Sequence, residues 1–499
     1  MRLDELLERI FGYSAFRPGQ KEIINSVLAG RNTVAMLPTG TGKSLCYQLP
    51  GYMIEGQVII ISPLLSLMQD QAEQLMMNGE KKVIAFNSFL SRSEKKQALT
   101  NLDQYKFIFI SPEMLYYESV QSQLKNLRIA LFVVDEAHCI SQWGYDFRPD
   151  YLKLGEVRQK IGNPVTLALT ATATHEVKAD IKKSLGILDC SEIIYSVDRP
   201  NIALTVEKAE NFRVKTKRLV ELAESLEGPG IIYFSSKKMA EQTADMLRVN
   251  GAKKVMAYHG GMDQESRILV QQQFIHGQLD LICATSAFGM GINKENIRYV
   301  IHFHMPLQIE SYLQEIGRAG RDGKQSIAIM LYTPGDEQLP IQIAENEFPD
   351  KSQIDWISGW MEENPNAITN ISAYEEQIKQ CSGLTEIQWR IFYDFFERKS
   401  KSGLGYKRIL QEMNGYCEGR IKLKRNSIEE VYRWIHNKNC RRENILSFFD
   451  EEKNTPVQYC CDICGLQFDE FIRNTKSDNQ DSMLYDWKKH LEYLLIPSE

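Results

Sequence analysis

The chain has 499 residues, 43% of them hydrophobic and 25% charged, with a formal net charge of -6. That length exceeds what one hydrophobic core usually serves, so two large domains and something smaller are expected. The acidic total excludes a globally basic nucleic-acid binder, leaving only local patches for that work, and no apolar run approaches the roughly 18 residues needed to span a bilayer.

The start, Met1-Arg2-Leu3-Asp4-Glu5-Leu6-Leu7-Glu8, mixes acids into apolar positions and reads as a helix of the mature protein rather than a secretory signal. Short apolar runs follow at 32–37, 58–61, 107–110, 129–134 and 165–169, separated by longer amphipathic stretches, as in a parallel sheet buried on both faces. After Asp198-Arg199-Pro200-Asn201 the pattern begins again, with runs at 230–234, 254–258, 279–283, 299–303 and 327–332. Two successive α/β domains with a cleft between them are expected. Beyond Pro334-Gly335-Asp336 helical spacing takes over, as in Ile387, Ile391, Phe392 and Phe395, and the polar stretch 474–482 reads as a linker before a last amphipathic helix. The expected division is 1–203, 204–338, 339–465 and 466–499.

Run 32–37 leads into Pro38-Thr39-Gly40-Thr41-Gly42-Lys43-Ser44. A strand, a glycine-bearing loop, a lysine, a hydroxyl and a helix turn backbone N–H groups toward phosphate. Thr39, Gly40, Thr41 and Gly42 would line the ATP phosphates, Lys43 would reach the β- and γ-phosphates, and Ser44 would coordinate Mg²⁺. Leu37 stands where the strict pattern has its first glycine. Run 129–134 ends on Asp135-Glu136-Ala137-His138, where Asp135 would hold the metal and Glu136 the attacking water. His138 either couples the γ-phosphate to motion or is a structural histidine. In the second half, Gln314-Glu315-Ile316-Gly317-Arg318-Ala319-Gly320-Arg321 offers Arg318 and Arg321 as catalytic cations, which meet ATP only if the halves close.

Together these residues resemble superfamily 2 helicases, and the segments between them are similar to the RecQ family over residues 8 to about 335. The resemblance implies two tandem RecA-like parallel-sheet domains followed by a mainly helical zinc-binding region. Phe11-Gly12-Tyr13-Ser14-Ala15-Phe16-Arg17-Pro18-Gly19-Gln20 is similar to the family's adenine-recognition motif, with Tyr13 and Arg17 against the base and Gln20 on its edge. Directly after the acidic motif, Trp143, Tyr145, Phe147 and Arg148 look like the family's aromatic-rich loop, suited to stacking on unpaired bases. Many relatives have His where Tyr145 stands, and usually Asp where Asn293 stands.

Six of the ten cysteines are scattered singly, whereas Cys440, Cys460, Cys461 and Cys464 cluster. In a reducing compartment four thiols match a tetrahedral structural Zn²⁺. The segment 340–435 carries many cations, which either bind duplex phosphate or face solvent. The resemblance would place winged-helix and helical DNA-binding domains after the zinc region, and the roughly 35 residues after Cys464 have room for neither.

The expected function is therefore that of an ATP-dependent DNA helicase, moving 3′ to 5′ in recombination or repair, with ATP, Mg²⁺ and Zn²⁺ as cofactors. Its partners would be single-stranded and forked DNA, with single-strand-binding or recombination proteins, in the cytoplasm and away from the membrane. An RNA helicase and a translocase without unwinding are the alternatives.

Overall fold

A computed structural model describes residues 3–63, 65–87, 90–141, 149–251, 254–289, 294–453 and 456–473. The opening residues form a helix, Leu3–Phe11, and each of the apolar runs overlaps a strand. In the first half these are β1 (Thr33–Met36), β2 (Gln57–Ile61), β3 (Val83–Phe86), β4 (Phe107–Ile110), β5 (Ile129–Val134), β6 (Thr166–Thr170) and β7 (Ser191–Ile194). They pair in the order β3-β4-β2-β5-β6-β1-β7, with parallel registers throughout. Every residue of β1, β4 and β6 is buried, because helices cover both faces of the sheet.

The second sheet contains β8 (Ile202–Lys208), β9 (Gly230–Tyr233), β10 (Val255–Tyr258), β11 (Leu281–Ala284), β12 (Tyr299–His302) and β13 (Ser326–Tyr332). Its order is β10-β11-β9-β12-β13-β8, again with parallel pairs. These are two RecA-like domains. In such sheets ligands bind beyond the carboxyl ends of the strands, and both the 38–44 loop and Asp135 follow strand ends. Strands β3, β7 and β8 go beyond what the apolar runs predict. The first two lie at sheet edges and β8 lies at the edge of the second sheet, where a strand needs fewer apolar residues.

Past the second sheet, helices Gln338–Asn346, Lys351–Glu363, Glu375–Ser382 and Glu386–Ser400 precede the 31-residue helix Tyr406–His436. Two start signals are reciprocal capping boxes, Asp350 with Gln353 and Thr385 with Gln388. Phe348, Ile354, Ile357, Trp360, Phe392 and Phe396 give this bundle its own core. The long helix spans about 46 Å at 1.5 Å per residue, and it serves two cores. Ile409, Leu410 and Met413 pack in the bundle, whereas Ile428, Val431, Trp434 and Ile435 pack into the core cluster that includes residues of both sheet domains. Trp434 lies with its ring centroid 4.8 Å from that of Tyr312 and donates Nε1 to the Arg441 carbonyl at 3.1 Å. Among the described residues no helix is long and apolar enough to cross a membrane.

Trp434→Ala removes a buried anchor between the third region and the second sheet. The expected cost is about 3–5 kcal/mol, seen in thermal unfolding as a lower midpoint; an unchanged midpoint would show that the long helix does not hold the third region to the second sheet domain.

Candidate active site

The 38–44 loop leaves β1 and enters the helix Leu45–Met53 through Ser44. Gly40 and Gly42 take positive φ values of 88° and 74°, which only glycine adopts freely. Thr41 folds back, donating its hydroxyl to the Pro38 carbonyl at 2.8 Å. The Gln20 amide donates to the carbonyls of Thr41 at 2.7 Å and Gly42 at 3.0 Å, while its oxygen accepts from the Arg17 N–H at 2.8 Å. In this structure Gln20 braces the loop. Arg17 donates to the Gly40 carbonyl and pairs with Glu295 of the second domain at 3.1 Å. Tyr13 stands 55% exposed.

At the end of β5, Asp135 and Glu136 are both largely withdrawn from solvent. Glu136 takes φ 46°, an uncommon conformation for a residue with a side chain, of the sort that clusters at functional sites. Lys43 Nζ lies 3.7 Å from Glu136 Oε1, and His138 Nδ1 lies 3.4 Å from Glu136 Oε2. The two carboxylates are electrostatically unlike. Burial, reinforced by Glu136, pushes Asp135 up to about 7, against the opposing pull of Lys43. Burial pushes Glu136 up too, but Lys43, then His138 and Arg318, outweigh it and hold Glu136 below the usual range. Asp135 thus gains most from a divalent cation, and Glu136 stays anionic beside Lys43. Burial lowers His138, whose Nδ1 meets the Thr170 hydroxyl at 2.9 Å while Nε2 lies 3.5 Å from Gln314 of the second domain. It touches the end of β6 on one side and the opposite domain on the other.

The stretch 314–321 closes over this loop. Arg321 packs so tightly on Gly40 that a Cβ there would lie 2.7 Å from Arg321 Cγ. Burial, then Arg318, Arg199 and Arg17, push Arg321 down to about 9. Arg318 is 5% exposed and lies close enough to Glu136 to lower its titration. Cations gathered in one partly buried pocket repel one another, and the ligand that relieves this is a polyanion. Arg199 joins them, which reading the sequence missed: Asp198-Arg199-Pro200-Asn201 marked only a domain boundary, and no local signal gives its contacts with residues 118 to 160 positions away.

Cys440, Cys460, Cys461 and Cys464 come together, with all four Sγ atoms within 4.8 Å of one another. Cys440 lies 3.5 Å from Cys460 and 3.9 Å from Cys461. A tetrahedron with Zn–S near 2.3 Å needs separations of about 3.8 Å, so the set fits. Trp143, Tyr145, Phe147 and Arg148 lie outside the described residues, as do Asn293 and the segment from 474 onward. The cations of 340–435 are largely matched by carboxylates: Lys399 with Glu412, Lys407 with Glu362, Lys424 with Glu347 and Arg425 with Glu345. That local neutrality weakens any pull on duplex phosphate.

The DEAD/DEAH box helicase family matches residues 17–180, the helicase conserved C-terminal domain matches 214–323, and the RecQ zinc-binding family matches 406–465. The helical bundle up to Ser400 lies between the last two matches. Among relatives, the probable ATP-dependent DNA helicase RecS of Bacillus subtilis is 43% identical over 98% of this chain and 97% of its own length. The ATP-dependent DNA helicase RecQ of Haemophilus influenzae is 41% identical over 66% of this chain, which spans 53% of that protein. Among solved structures, Mycobacterium smegmatis helicase Lhr bound to ssDNA and AMP-PNP matches with TM-score 0.55 and 20% identity, over 68% of this chain and 49% of that one. DEAD-box helicase Mss116 bound to ssRNA and UDP-BeF matches with TM-score 0.56 and 18% identity, over 82% and 94%. At those identities the likeness is one of fold. The relative matched almost end to end and the zinc-region match agree, and the chain belongs to the RecQ family of helicases.

Proposed function

We propose that the chain is an ATP-dependent DNA helicase in which closure of two RecA-like domains on ATP drives movement along a single strand, 3′ to 5′, in recombination or repair. The observation that carries this reading is the approach of Arg318 and Arg321 to the phosphate loop and to Glu136 of the opposite domain. In the proposed assignment Lys43 neutralises the β- and γ-phosphates and Glu136 positions the attacking water. Arg318 and Arg321 offset charge in the transition state. Ser44 and Asp135 would hold Mg²⁺, which would supply positive charge against the phosphates. Thr39, Gly40, Thr41 and Gly42 would line the phosphates, with Tyr13, Arg17 and Gln20 on the nucleotide side and Trp143, Tyr145, Phe147 and Arg148 on the strand. The names of the bacterial relatives support DNA as the track.

RNA is the second reading, because a putative ATP-dependent RNA helicase of Acanthamoeba polyphaga mimivirus is 34% identical over 91% of this chain and 82% of its own length. Single-stranded DNA is expected to stimulate ATP hydrolysis at least about tenfold more than RNA of the same length, and Lys43→Ala to abolish the stimulated rate. Equal stimulation by RNA would favour the second reading, and hydrolysis surviving in Lys43→Ala would remove the site assignment altogether.

For the cysteine cluster, the donor set and its spacing support a structural Zn²⁺ with no open position. Metal analysis should find about one Zn²⁺ per chain, and Cys461→Ser should lose it and lower the unfolding midpoint. Fully folded, metal-free wild-type protein would contradict this.

A further inference from the structure

Arg199 lies in the crossing between β7 and β8. Nη1 donates to the carbonyls of Thr39 at 2.9 Å and Gly317 at 3.1 Å, and Nη2 donates to those of Ala319 at 3.0 Å and Gly320 at 2.8 Å. A guanidinium has four terminal N–H bonds, so each is matched to one carbonyl. Arg199 therefore has no terminal donor left for a phosphate, unlike a cation that serves the transition state. Its four acceptors come from both sides of the cleft: Thr39 belongs to the phosphate loop, and residues 317–320 form the turn that carries Arg318 and leads to Arg321. Asn201 reinforces the second side, donating Nδ2 to Gly320 at 2.8 Å and to Lys324 at 2.9 Å.

What holds Arg199 comes from the third region. Arg442, 3% exposed and two residues past Cys440, donates to the Arg199 carbonyl at 3.1 Å, reaches the Ile202 carbonyl and pairs with the Asp198 carboxylate. Glu451 adds a further tie, accepting from the Val197 N–H at 3.1 Å and from the Ser196 hydroxyl. The cysteine-bearing region thus fixes the backbone of residues 196–202, and the side chain of Arg199 transmits that position to both halves of the ATP site.

We propose that Arg199 is a positioning residue that sets the arginine turn 317–321 in register with the phosphate loop, and that Arg442 holds it there, so that the cysteine-bearing region controls closure of the ATP site. This rests on the reading of that site as an ATPase. Lysine cannot substitute, since one ammonium is a point donor and not a planar fork.

The test uses the full-length wild type, Arg199→Lys, Arg442→Lys and the double variant. In single-stranded-DNA-stimulated ATP hydrolysis, Arg199→Lys should lower kcat by about 10- to 100-fold with KM within about threefold, because it alters the arrangement for reaction more than nucleotide binding. Arg442→Lys should lower kcat less, and the double variant should be no worse than Arg199→Lys within about twofold, as coupled residues require. Hydrogen exchange of the 317–323 backbone should quicken in Arg199→Lys while that of β2 stays unchanged. Multiplied rate losses in the double variant, a raised KM with unchanged kcat, or wild-type exchange across 317–323 would each overturn the proposal. If Arg442→Lys does not fold, Asp198→Asn replaces it in the cycle. If the wild type hydrolyses no ATP, the function reading fails by itself, and the exchange rates alone decide whether the latch exists.

Discussion

Everything that makes this chain a candidate motor depends on one constraint: cations of the second domain have to reach a phosphate loop that belongs to the first. The loop is prepared for close approach, because Gly40 presents no Cβ to Arg321. The acidic strand end is prepared by electrostatics that separate two adjacent carboxylates, with Asp135 pushed up to about 7 and Glu136 held low. Neither half is complete alone. Arg318, Arg199 and Arg17 all push against Arg321, and under the proposed assignment a polyanion between the domains would relieve that repulsion and favour closure. That coupling of charge to domain position is the physical content of a nucleotide-gated clamp.

The third region enters the same account through packing. Its long helix belongs to two cores, and its last turns place Trp434 against Tyr312, which lies in the helix running up to the arginine turn. Arg441 and Arg442 then lead away from Cys440, the first to the carbonyls of Trp434 and Ile435, the second to the interdomain crossing. A cysteine cluster that fixes this corner acts on the motor's geometry without touching its chemistry. Most cations of the bundle, by contrast, pair with carboxylates of the same region, which lowers its net positive field.

How much of this was legible in the sequence follows from the range of each interaction. Strands β2, β4 and β5 are runs of branched and aromatic residues, so they announce themselves. Strand β7, with alternating burial, and β8, with Thr205 and Glu207 inside it, do not. The 38–44 loop and the acidic strand end are local chemistry in consecutive residues, and so is the stretch 314–321. That Gln20 braces the loop was not legible, because an amide suited to a base edge is equally suited to two backbone carbonyls. Arg199 was hidden for a related reason: its partners are backbone atoms, which carry no sequence signature, and they are brought near only by the fold. The cysteines were legible as a set because four thiols, two of them in a C-x-x-C, match a tetrahedral donor set.

The most direct measurement of the central claim compares nucleotide affinity with turnover in Arg321→Lys. A cation that serves the transition state should leave binding of a fluorescent ADP within a few-fold of wild type, while single-stranded-DNA-stimulated hydrolysis falls by about 10³-fold. Affinity and turnover falling together by the same factor, or turnover unaffected, would contradict the account of a site completed across the cleft.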